Sequence, residues 1–140
     1  MTPTSPSDPM AAVNGVLSEV IDVAMALRQA HRRVPEEHEL HAELDQLLSD
    51  ARAWAESLLE ADAARGVSAL AYMPSVAGRQ RPDLGHGPLS DDDVRRILAE
   101  QLEDLASHVH AALSQPEDDH IRDLLDRINA ELQAHLAALR

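Results

Sequence analysis

The sequence predicts an all-α protein, an up-and-down antiparallel four-helix bundle with one long loop. Three observations predict it. Apolar residues recur at spacings of three and four over four long segments. The apolar content of 44% comes almost wholly from aliphatic residues, with Trp54 and Tyr72 as the only aromatics. Strong helix punctuation stands at Pro9, Pro35, Ser90 and Pro116. A β-sandwich would need alternating runs rich in Val, Ile, Thr and aromatics, and the chain has none. Its 140 residues suit one domain, here expected over residues 9–140 behind a disordered arm at 1–8 that carries Pro3 and Pro6.

The first helix is expected over about 9–33. Asp8 and Pro9 form a cap and first-turn pair, and the stripe Val13, Leu17, Val20, Ala24, Leu27 and His31 faces the core. Gly15 weakens it locally. Pro35 ends it by pushing Val34 out of the helical region. The second helix, about 35–65, restarts at Pro35 with Glu36 and Glu37 at the positive end of its dipole. Its stripe of Leu40, Leu44, Leu47, Ala51, Trp54, Leu58 and Ala61 keeps heptad spacing, and Gly66 is the stop signal.

Residues 66–89 hold four of the five glycines and three of the eight prolines. They form a long connection that either joins neighbouring helices at one end or crosses the bundle. The third helix, about 90–114, opens with Ser90 as N-cap, Asp93 at the third position and a Leu89–Val94 staple. Its stripe is Val94, Leu98, Leu102, Leu105, Val109 and Ala112. The fourth, about 116–139, starts from Ser114, Pro116 and Glu117, and its stripe is Ile121, Leu125, Ile128, Leu132, His135 and Leu139. Such helices would be roughly 35–46 Å long.

Composition excludes several chemistries. There is no Cys, hence no disulfide, thiolate site or Cys nucleophile. All twelve basic residues are Arg, so Schiff-base and Walker-type lysines are excluded. A net charge of −13 opposes nucleic acid and anionic membranes. No apolar run reaches spanning length and no signal peptide is recognisable. A cytoplasmic protein without direct nucleic-acid or membrane binding is expected.

Eight histidines stand out. If both short turns lie at one end, His31, His38, His41, His108, His110 and His120 gather there with Glu36, Glu37, Glu117, Asp118 and Asp119. Imidazole suits Zn, Cu, Ni and Fe. His31, His38, His41, His108 and His120 are therefore the candidate metal ligands, with a divalent transition metal as the one cofactor to consider. The spacing is not that of known di-metal bundles. Glu-x-x-His occurs at Glu117–His120, at a helix start, and neither His-x-x-x-His nor His-x-x-x-Glu occurs. His31 and His135 occupy apolar stripes, where a half-buried imidazole with one hydrogen-bond partner is expected.

The run Glu39-Leu40-His41-Ala42-Glu43-Leu44-Asp45-Gln46-Leu47-Leu48 resembles the phosphoacceptor helix of two-component histidine kinases. The resemblance implies a phosphotransfer bundle with His41 as acceptor. Ala42 stands where that family has the neighbouring acid, Asp45 replaces its usual Gly, and no Gly-rich ATP-binding domain follows.

With no catalytic motif, the expected function is a non-enzymatic interaction or regulatory bundle. It would act through apolar helix faces widened by Val16, Val23, Leu48, Leu59, Leu124 and Leu136, and would bind a protein partner or a second copy. The alternative is a bundle that binds a metal or small ligand at a His-rich end.

Overall fold

The structure, a computed structural model, describes residues 9–35, 38–64, 90–115 and 119–140. Among them are four helices: α1 (Pro9–Arg33), α2 (Glu39–Ala64), α3 (Asp91–Leu113) and α4 (Asp119–Leu139). The expected arm at 1–8, the Gly66 stop and the 66–89 loop lie outside the described residues.

The helix limits shift for identifiable reasons. α2 begins at Glu39, four residues after the expected start at Pro35. The His38 N–H donates to the Pro35 carbonyl at 3.1 Å, an i→i+3 bond that closes a turn instead of a first helical turn. Ser90 caps α3 as expected, extended at φ −73° and ψ 157°, its Oγ accepting from the Asp93 N–H at 3.1 Å. Ser114 closes α3 rather than opening α4. It is in helical conformation, and its N–H points back to the Ala112 and His110 carbonyls.

The apolar stripes are the core. Leu27, Leu44, Leu58, Leu102, Leu105, Leu125, Ile128 and Leu132 are fully buried, and each contributes roughly 1.5–3 kcal/mol by leaving water. α1 packs on α2 and α3, and α4 on α3, while α2 and α4 meet less closely. That last seam is bridged by polar pairs: His135 with Asp50, Trp54 Nε1–H donating to Glu131 at 3.0 Å, and Arg127 with Ser57 at 3.4 Å. All the packed neighbours are antiparallel.

Polar links also fix which ends coincide. His38, just before α2, lies 3.4 Å from Asp91, the first residue of α3. Arg95 reaches Glu43 near the start of α2 and the Ala138 carbonyl near the end of α4. α2 and α3 therefore begin at the same end, where α1 and α4 finish. At 1.5 Å per residue, the far end of α2 is about 38 Å away. Ala64 and Ser90 therefore stand at opposite ends of the bundle.

The condition for gathering six histidines, that both short turns share an end, is not met by this topology. The turn after Arg33 is at one end and the turn after Leu113 is at the other. His31, His38 and His41 stand at the first. His108, His110 and His120 stand roughly 26 Å or more away.

Candidate metal centre

Helical periodicity on two helices builds the site. His31 lies in the last turn of α1, one turn beyond Leu27 on the same stripe. The chain reverses through Val34 and Pro35, and α2 then presents His41 and Asp45 at i, i+4, on one face. α1 and α2 pack antiparallel, so the end of one meets the start of the other.

His31 Nε2 lies 2.5 Å from Asp45 Oδ1, a short charge-assisted hydrogen bond. His41 Nε2 lies 3.7 Å from Asp45 Oδ2. The two imidazole rings have centroids 4.0 Å apart and planes tilted by 40°. The second nitrogen of His41, Nδ1, sits 3.1 Å from the Val34 carbonyl oxygen. The His41 side chain is 15% exposed, His31 30% and Asp45 59%, so the cluster is closed toward the core and open on the Asp45 side.

One ligand atom from each of His31, His41 and Asp45 lies within 4.8 Å of the others, the only such group of three among the described residues. Two imidazoles and a carboxylate with open positions are the donor set of non-haem Fe(II) centres. The residues fit a metal ion on chemical grounds. A metal held there would take the place of the hydrogen bond between His31 and Asp45, since an imidazole nitrogen ligates only through its lone pair.

The other sequence candidates stand elsewhere. The imidazole of His38 turns to Asp91 of α3. His108 Nδ1 lies 2.8 Å from the Asp104 carbonyl of its own helix. His120 lines a cleft at the far end with Ser57, Glu60, Asp123 and Arg127. Asp45 was not among the sequence candidates. Its signal was the His-x-x-x-Asp spacing from His41, which carries the geometry of His-x-x-x-Glu with a shorter acid. His41 itself is enclosed, with one nitrogen on a backbone carbonyl and the other facing Asp45. It does not present the open imidazole that a phosphoacceptor helix requires.

No protein-family model matches the chain. No curated protein matches it by sequence. Among solved structures, the chain is similar to Dps from Microbacterium arborescens, determined in a high iron form. The identity is 18%, the TM-score is 0.80, and the match covers 99% of this chain and 96% of that one. The fold is that of Dps. Placed beside Dps, the bundle has the same helical architecture over nearly its whole length.

These findings overturn the expectation of a non-enzymatic interaction or regulatory bundle acting through apolar faces. Val16, Val23, Leu124 and Leu136, read as surplus apolar surface, are buried in the chain's own core, and Leu48 is partly buried against it. Leu59, 37% exposed, is the one exposed large hydrophobic side chain among the described residues. The metal-binding alternative accords better with a fold shared with Dps and with the His31–His41–Asp45 cluster. No helix among the described residues is long and apolar enough to cross a membrane.

Proposed function

We propose that this protein binds ferrous iron through His31, His41 and Asp45. The observation that carries the reading is the convergence of two imidazoles and a carboxylate from two helices onto one point. The donor set supports Fe(II), and so does the likeness in fold to a Dps determined in a high iron form. The acidic surface adds a long-range attraction for cations, with a net charge of −13. Three protein ligands leave coordination positions open on the exposed Asp45 side. His38, His108 and His120 are not part of this proposal, because their imidazoles are directed elsewhere.

Self-association belongs to the same reading. Leu59 lies about four turns beyond Asp45 on the outward face of α2, and Leu48, Arg52 and Glu56 share a shallow groove with Asp45 on that helix. A second copy laid on this face would cover Leu59.

Anaerobic calorimetric titration with Fe(II) tests the proposal. Saturable binding is expected, and Asp45→Asn and His41→Ala should each weaken it by at least about tenfold, while His108→Ala combined with His120→Ala should leave it unchanged. An isotherm that does not saturate, or one indifferent to loss of the triad, defeats it.

A further inference from the structure

We propose that the Val34–Pro35 turn is the positioning device of the metal centre, holding the His41 proton on Nδ1 so that the Nε2 lone pair faces the metal. The proposal rests on the iron-binding reading and deepens it.

The Val34 carbonyl oxygen lies 3.1 Å from His41 Nδ1. A carbonyl only accepts, so Nδ1 carries the proton. A neutral imidazole has one N–H, so Nε2 is left with its lone pair. That Nε2 is 3.7 Å from Asp45 Oδ2, too far for a hydrogen bond. A metal held there would take the His41 Nε2 lone pair and an Asp45 carboxylate oxygen as ligands. Histidine ligands commonly donate their other N–H to a carbonyl, which fixes ring and tautomer and raises the basicity of the ligating nitrogen.

Pro35 explains why that carbonyl is available. Were α1 to continue, the Val34 carbonyl would accept from the backbone N–H of His38. The residue before a proline is pushed out of the helical region, and α1 ends at Arg33. The His38 N–H instead donates to the Pro35 carbonyl at 3.1 Å, and the His41 N–H donates to the His38 carbonyl at 3.0 Å. The Val34 side chain, 5% exposed, anchors the turn in the core. His41 is thus tied to the turn through its backbone and through its ring. His38 contributes its backbone to this arrangement, while its imidazole lies against Asp91.

Two measurements test the proposal. Long-range ¹H–¹⁵N NMR of the metal-free protein at neutral pH is expected to show His41 as the Nδ1–H tautomer, and the Nε2–H tautomer would overturn the proposal. In Pro35→Ala, the tautomer should become mixed and affinity for Co(II), an air-stable stand-in for Fe(II), should fall by about 10- to 100-fold. A folded Pro35→Ala protein with both tautomer and affinity unchanged also overturns it. If Pro35→Ala fails to fold, the wild-type spectrum decides alone. A wild-type protein that takes up no Co(II) defeats the iron-binding reading, while the metal-free spectrum still reports separately on the tautomer.

Discussion

His135 Nε2 lies 2.6 Å from Asp50 Oδ2, across the seam between α4 and α2. The two side chains are 15% and 24% exposed, and the Trp54 and His135 rings meet edge to face with centroids 6.2 Å apart. An imidazole on an apolar stripe is here held by one acceptor on the facing helix, in the seam where apolar packing is least close. His135→Ala should therefore destabilise the protein by about 1–2 kcal/mol, because the half-buried Asp50 Oδ2 loses its partner while Oδ1 keeps the Gln46 amide. Asp50→Asn should cost less, since its amide oxygen still accepts. Urea denaturation of both variants measures the difference, and equal stabilities for wild type and His135→Ala would contradict it.

Gly15 sits inside α1, and a Cβ built there meets nothing within 4 Å. Gly15→Ala should stabilise the protein by about 0.5–1 kcal/mol, through the lower backbone entropy of the unfolded chain and better helix propensity. A rise in Tm of a few degrees is the expected reading, and a fall would mean that the space is occupied.

Ser90 Oγ accepts from the Asp93 N–H at the start of α3. Ser90→Ala removes this cap and should cost about 1 kcal/mol, while Ser90→Asp should retain most of it. Chemical denaturation of the pair distinguishes a lost cap from a surface change without consequence.

Leu44 is fully buried at the start of α2, one turn from the metal centre, whereas Leu59 on the same helix is 37% exposed. Leu44→Ala should cost about 2–5 kcal/mol through lost burial and a residual cavity. Leu59→Gln should stay within about 0.5 kcal/mol in the isolated chain. If Leu59 is covered by a second copy, Leu59→Gln instead shifts the mass seen by light scattering toward the monomer.

The triad joins the end of α1 to the start of α2, so an ion that binds only the folded protein must stabilise it. At a concentration one hundred times its Kd, a metal adds about 2.7 kcal/mol. Calorimetric scans should show a Tm that climbs with Co(II) and returns on adding a chelator. The climb should vanish in His31→Ala.

The helices were legible because their information is local. The three-and-four spacing of Leu40, Leu44, Leu47 and Leu58 requires a helix with one buried side, and all four are buried. Ser90, with Asp93 three residues on, marks a helix start by a bond that closes within those residues. The end of α1 was legible from Pro35, whose effect reaches one residue back. The start of α2 at Glu39 was not legible, because Pro35 also suits a first helical turn. The choice fell to the turn bonds among Pro35, His38 and His41, one of which places His38 opposite Asp91, fifty-three positions away.

The sequence by itself determined the helical class, the residues that face inward and the presence of imidazoles beside the turn after α1. Each follows from period, propensity and short-range sterics. Only the tertiary structure decided that the two turns lie at opposite ends, that His108 and His120 are remote from His41, and that Asp45 completes the group. Those facts depend on which way α3 runs relative to α2. That direction is set by burying four apolar stripes together and by polar links such as Glu43 to Arg95, between residues far apart in the chain.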